Sequence, residues 1–170
     1  MSKTMFYLVG LILGLVYPVA GVMTDSVHPH DGISYFIGAD GHKITLIHNV
    51  SATDQTYSQV LFFIGSDTTD QIAYEKGRFT CGDYAERVQN NAENAGIRCA
   101  WVSVDFTDAE GHAFNAFNTT DKGLVFIDCT KGDAQVDPQI GQLCAPTPID
   151  PAADYSIKPL GILKKYDIYW

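Results

Sequence analysis

The run His112-Ala113-Phe114-Asn115-Ala116-Phe117-Asn118-Thr119-Thr120-Asp121-Lys122-Gly123-Leu124-Val125-Phe126-Ile127-Asp128-Cys129-Thr130 reads as two β-strands about a turn. Aromatic and β-branched residues fill both arms, and Thr119 to Gly123 carries the Asp and Gly that a hairpin connection needs. With the turn near Asp121, His112 falls opposite either Asp128 or Thr130. Side chains alternate between faces along a strand, so both registers put His112 and Asp128 on one sheet face. They are then direct partners or diagonal neighbours, within reach of an imidazole-to-carboxylate hydrogen bond.

Toward the N-terminus, Phe79-Thr80-Cys81-Gly82-Asp83-Tyr84-Ala85 opens a helix. Thr80 followed three residues later by Asp83 makes a capping-box-like start, and Gly96 is a natural stop. Cys81, Tyr84, Ala85, Val88, Ala92 and Ala95 form an apolar stripe facing the core, and Glu86, Arg87, Gln89, Asn90 and Glu93 are expected to point elsewhere. Cys81 therefore lies in the first helical turn, where unpaired N–H groups and the helix dipole favour negative charge. That effect is worth about 0.3–1 kcal/mol, less than one pKa unit, so it cannot make a thiolate unaided. A neighbouring imidazolium has to supply the larger share. His112 is the residue placed to do so, with Asp128 to orient it.

The remaining segments predict an α+β domain. Tyr57, Val60, Leu61 and Ile64 recur at helical spacing behind the capping residues Thr53 to Thr56, and that helix is expected to end at Gly65. Ile44, Leu46, His48 and Val50 alternate as in a strand, and Ile97 to Phe106 holds another. Lys131 to Asp154 is rich in Pro, Gly and Asp and reads as surface loop. Ile157 to Trp170 returns as one or two strands. The expected architecture is helices packed on an antiparallel sheet.

The segments around Cys81, His112 and Asp128, with the Thr53 to Ile64 helix and the Asp67-Thr68-Thr69-Asp70 turn, resemble the transglutaminase-like superfamily. The likeness is to its small exported prokaryotic members and covers roughly Thr53 to Thr130. It implies a papain/transglutaminase-like core in which the face bearing His112 and Asp128 turns toward the N-terminus of the Cys81 helix. It also implies thiol acyl transfer on peptide or glutamine amides, without a cofactor. Cys81 would attack the carbonyl with its own N–H as one oxyanion donor, and His112 would protonate the leaving amine. The thioester would then pass to water or to an amine. Gln71 is the candidate second oxyanion donor. The rival expectation is an inactive extracytoplasmic binding module that keeps the fold and ties Cys81 into a disulfide.

Composition narrows the partners. A chain of 170 residues with net charge −9 suits one domain and lacks the basic cluster that nucleic acid or an anionic membrane surface requires. A peptide or protein substrate fits better. Residues 1–22 form a leader: Lys3 precedes an uncharged run from Met5 to Met23, with an apolar core at Phe6 to Val16 and small residues after Pro18. This is a secretory signal pattern, with an uncleaved membrane anchor as the alternative. Either places the rest outside the cytoplasm, with membrane attachment only through this segment. Residues 23–52 read as a connector with a short strand, and 53–170 as the transglutaminase-like domain.

The four cysteines are Cys81, Cys99, Cys129 and Cys144. A free Cys81 leaves at most one bridge. Cys129–Cys144, closing about 15 residues for roughly 3 kcal/mol, is preferred to Cys99–Cys129. His28, His30, Asp31, His42 and His48 match no closed zinc spacing, and no metal is expected.

Overall fold

The computed structural model describes residues 36–152 and 158–170, which belong to one compact unit, Tyr35–Trp170. The leader, and His28, His30 and Asp31 with it, lies outside the described residues. The chain is α+β, with two helices and a seven-stranded antiparallel sheet among those residues.

Helix α1 (Tyr57–Ser66) starts as the capping residues predict. Thr56 N donates to Gln59 Oε1 at 2.9 Å, and Gln59 N returns a bond to Thr56 Oγ1 at 3.3 Å. The tip of the central hairpin clamps this end, since Asp121 Oδ1 accepts from Tyr57 N at 2.7 Å. Helix α2 (Cys81–Asn94) begins at Thr80, whose N–H donates to the Asp83 carboxylate at 2.7 Å. It stops where Gly96 takes φ +78°, a left-handed turn that a Cβ would disfavour.

The strands are β1 (Ala100–Phe106), β2 (His112–Thr119), β3 (Gly123–Asp128), β4 (Ala134–Val136), β5 (Leu143–Cys144), β6 (Thr147–Pro148) and β7 (Gly161–Tyr169), in sheet order β5-β7-β1-β2-β3-β4-β6. The stretch after Lys131, expected as loop, thus contributes three short strands. Ala134 and Val136 are buried and extend the free edge of β3, and Leu143 and Cys144 cover β7 on the other side. Pro and Gly shorten these strands without preventing their pairing at sheet edges.

The sheet is curled. β7 and β3 are separated by β1 and β2, so a flat sheet would hold their backbones about 14 Å apart. Tyr166 and Phe126 are also on different rungs, one level with His112 through Val104 and the other level with Ala116. Their rings nevertheless meet edge to face at 5.7 Å, and Phe126 meets Phe114 at 5.8 Å. Curling gathers Val102, Val104, Phe114, Ala116, Phe126 and Leu163 into a core on the inner face, built from strand residues. The outer face carries a second core in which Val60 and Ile64 of α1 and Val88 and Ala92 of α2 pack on Cys99, Phe117, Val125 and Ile127.

Residues 44–49 are not the strand that their alternation predicts. They run extended along α2, and the side chains of the helix take the place of a neighbouring strand. Thr45 N donates to Glu86 Oε1 at 2.6 Å, Ile47 N to Asn90 Oδ1 at 2.7 Å, and Asn49 N to Glu93 Oε2 at 3.0 Å. Gln89 Nε2 reaches Ile47 O at 2.7 Å, and Asn90 Nδ2 reaches Thr45 O at 3.0 Å. Two extended residues advance about 6.6 Å and one helical turn 5.4 Å, so successive inward N–H groups meet successive turns. Gln89 and Glu93, expected away from the core, are buried beneath this strap.

Candidate active site

Three elements converge on Cys81, His112 and Asp128. The thiol stands at the first position of α2, the imidazole at the first of β2 and the carboxylate at the last of β3. The ladder pairs Asn115 with Ile127, which carries on to set Phe114 opposite Asp128 and Thr130 opposite His112. This is the second of the two predicted registers, and it makes His112 and Asp128 diagonal neighbours.

His112 Nε2 lies 2.8 Å from Asp128 Oδ2, with both side chains largely buried. Asp128 Oδ1 accepts from Thr130 N at 2.9 Å. With Nε2 committed to Asp128, Nδ1 is the ring nitrogen left to act on the Cys81 thiol. The N–H of Ala113 also acts to lower the thiol.

The electrostatics follow from this chain of contacts. Burial alone would push the Cys81 thiol up, but the hydrogen bond and charge of His112, with the Ala113 N–H, outweigh it and hold the thiol below its ordinary value. Burial likewise works against a charged His112. The Asp128 carboxylate, with help from Cys81, overcomes it and keeps the ring protonated up to about 10. Asp128 is lowered against its own burial by His112 and then by Thr130. The arrangement therefore lowers the thiol and raises the imidazole, the direction that favours a thiolate–imidazolium pair backed by a carboxylate.

The packing differs from the face expected above. Ala113, Asn115 and Phe117 are the β2 residues that meet the helices, whereas His112 and Asp128 share parity with Phe114 and Phe126 of the inner face. Cys81 meets His112 because all three groups sit at one end of the sheet, where α2 arrives beside Ala113. Asn115 fixes that approach. It is buried, and its Nδ2 donates to Ala85 O at 2.8 Å and to Ala100 O at 3.2 Å. Trp101 Nε1 adds a bond to Gly82 O at 3.1 Å.

Beside the imidazole opens a cavity of about 380 Å³ whose lining includes Tyr74, His112, Asp128, Thr130, Lys131 and Lys158. Tyr74 stacks on Tyr84, whose hydroxyl donates to Ile72 O and so ties down the preceding loop. Sequence reasoning did not single out Asn115, Thr130, Tyr74, Lys131 or Lys158. Thr130 was legible as the alternative partner of His112 in the register, while the others carry no local signal.

Gln71 closes the 3-10 turn Thr69–Gln71, is exposed, and is not part of the cavity lining. Its backbone is committed to that turn through Thr68 O at 3.2 Å. As the opening residues of α2, Cys81 and Gly82 lack an acceptor for their N–H groups within the helix, so the helix end itself offers two donors beside the sulfur.

The expected Cys129–Cys144 bridge is not formed, and neither is Cys99–Cys129: all four cysteines are free thiols. Cys129 belongs to the outer core and Cys144 to the inner one, so the sheet stands between them. Burial, and then Asp133, raise Cys129 well above an ordinary thiol, and its sulfur is hydrogen-bonded to that carboxylate.

Away from the cavity, Asp40, His42 and Asp83 bring one potential metal-ligating atom each within 4.8 Å of one another. These groups already have protein partners: His42 Nε2 lies 2.7 Å from Glu86, and Asp83 accepts from Thr80 N and Ala39 N. They fasten the segment before the strap to α2.

Compared with protein-family models, curated proteins and solved structures, the chain matches none.

Proposed function

We propose that this chain is an exported thiol acyl-transfer enzyme with a papain/transglutaminase-like core, acting on peptide or glutamine amides. The observation that carries the reading is the His112–Asp128 hydrogen bond on the wall of an open cavity, with His112 acting on the Cys81 thiol and lowering it. Export rests on the leader pattern of residues 1–22.

The Cys81 thiolate attacks the amide carbonyl, forming the S–C bond, and the carbonyl oxygen takes the negative charge. The N–H groups of Cys81 and Gly82 are the available donors for that oxyanion. Collapse breaks the C–N bond, and the proton on His112 Nδ1 passes to the departing amine. A thioester remains on Cys81. His112, now neutral, takes a proton from the incoming water or amine, which displaces the thiolate and releases acid or new amide. Asp128 keeps the ring in the orientation and charge state both halves require.

The non-enzymatic binding module predicts Cys81 in a disulfide. The free thiol and its paired imidazole favour the enzyme. The deciding experiment is iodoacetamide alkylation of Cys81 across pH. Wild-type protein should react through an apparent pKa below the usual thiol value of about 8.5. His112→Ala should slow the reaction at pH 6.5 by roughly ten- to a hundredfold, since an ordinary thiol is scarcely ionised there. A Cys81 that reacts like a free thiol, unaffected by His112→Ala, sinks the proposal.

A further inference from the structure

The cavity beside His112 has a charge that runs against the rest of the chain. The chain as a whole is acidic, at −9. Yet Lys131 and Lys158 both line the cavity, whose one acidic lining residue is Asp128. That carboxylate is already engaged by His112 and by Thr130 N. Glu110 and Asp83 act on Tyr74 but do not line the cavity. Counting Cys81 as thiolate and His112 as imidazolium, the site's charges are two negative and three positive. The surplus comes from the two lysines.

Both lysines are exposed, and among the described residues neither ammonium lies within ion-pair distance of a carboxylate. Lys131 Nζ instead stands 5.9 Å from the centre of the Tyr74 ring, on the wall of the same cavity. Among the described residues, no carboxylate therefore competes with a ligand for either ammonium. At about 380 Å³ the space falls in the range of roughly 300–1,000 Å³ common to small-ligand sites, enough for a short peptide segment.

We propose that the cavity selects substrates carrying a carboxylate next to the amide to be cleaved, and that Lys131 and Lys158 are its specificity residues. The inference deepens the acyl-transfer reading and rests on it for the word substrate. The carboxylate has two sources, an acidic side chain or the free C-terminus of a peptide. Compact, point-like lysine charges suit either.

The test uses the full chain and two kinds of probe. The first is the ratio of Cys81 alkylation rates by iodoacetate and by iodoacetamide, reagents that differ in one negative charge. Lys131→Gln/Lys158→Gln should lower that ratio about fivefold at low salt, the scale of one or two charges acting over several ångströms of screened solvent. Lys164→Gln, on the exposed side of β7, should leave it alone. The second probe is a set of glutamine-amide peptides with Glu, Gln or Lys beside the reactive residue, each with a free or an amidated C-terminus. The Glu peptides, or all free-acid peptides, should show the higher kcat/KM in wild type, and the double variant should lose the difference. The pattern tells which source of carboxylate is read.

An unchanged reagent ratio, or equal turnover of acidic and basic peptides, overturns the proposal while leaving an active thiol standing. If Cys81 reacts as an ordinary thiol, the acyl-transfer reading is what fails. Fluorescence anisotropy of labelled Glu and Lys peptides on Cys81→Ser protein then decides the carboxylate preference independently.

Discussion

At the scale of single residues, the site is held by charge as much as by geometry. His112 and Asp128 are buried together, so removing one member leaves the other uncompensated, a loss of about 3–5 kcal/mol for buried pairs. Asp128→Asn should destabilise the fold by that order near pH 5–6, read from urea midpoints. The pH dependence has a definite sign. His112 is raised to about 10, so its contribution is complete below its unfolded value of about 6.5 and is lost as pH rises toward 10. Asp128 is lowered, so its contribution is present above about 3.9 and disappears as pH falls through its depressed folded value. The gap between wild type and Asp128→Asn should therefore be widest between about pH 4 and 6.5 and close on both sides. A gap that does not close as pH falls below about 4 or rises above about 6.5 would mean that the pair is not ionic. Asn115 is the quieter residue of the site. Asn115→Ala removes its bonds to Ala85 O and Ala100 O, with an expected cost of about 1–3 kcal/mol. It should also shift the alkylation profile of Cys81 toward higher pH, because the helix end is no longer pinned beside Ala113. An unchanged profile would limit Asn115 to a purely structural role.

At the scale of elements, α2 does three jobs with one sequence. Its apolar residues pack on the sheet, its first turn presents the thiol, and its polar residues stand in for a β-strand along residues 45–49. Glu93 shows how the last two faces meet the core. Its Oε1 accepts from the buried Cys99 N at 2.9 Å and its Oε2 from Asn49 N at 3.0 Å. Glu93→Ala leaves both donors without that partner, at about 1–3 kcal/mol for the buried one. Hydrogen exchange should then show Asn49 and Cys99 losing protection together, with the β2–β3 hairpin unaffected. Loss of protection at only one of them would mean the strap and β1 are not coupled through Glu93. His42 extends the fastening. Glu86, then Asp40, raise it to about 9, so this contribution declines as pH climbs from about 6.5 toward that value. Its exposure lets solvent screen the pair, so the effect is small.

At the scale of the whole molecule, the curled sheet creates the inner core and the open end where the cavity forms. β7, the last strand, pairs along β1 in the middle of the sheet, so the C-terminus is structural. Leu163 is fully buried in the inner core among residues of several strands. Leu163→Ala should cost about 2–5 kcal/mol by leaving a cavity there. Because its neighbours hold the curl, the contact between Tyr166 and Phe126 should loosen as well, seen as a change in near-ultraviolet circular dichroism. A cost below about 1 kcal/mol would place the stabilising core on the helix-covered face instead.

Much of this was legible in the chain because it depends on neighbours in sequence. The capping boxes at Thr56 and Thr80, the stop at Gly96 and the hairpin turn are local matters of hydrogen bonding and backbone conformation. The shared parity of His112 and Asp128 follows from the two-residue repeat of any strand. The alternation at Ile44 to Val50 was real too, and it did mark extended backbone. It could not say what satisfies that backbone, since a row of helix side chains serves as well as a strand once it is brought alongside. Likewise the spacing of Cys129 and Cys144 suited a bridge, but only the intervening sheet shows that Cys144 lies out of reach. The amino-acid sequence by itself determined the two helices, the central hairpin and the shared face of His112 and Asp128, because those follow from short-range sterics and hydrogen bonds. Only the tertiary structure decided how the sheet curls, which lysines gather beside His112 and what pins Cys81 there. Those contacts join residues far apart in the chain, and their closeness exists only once both cores have packed.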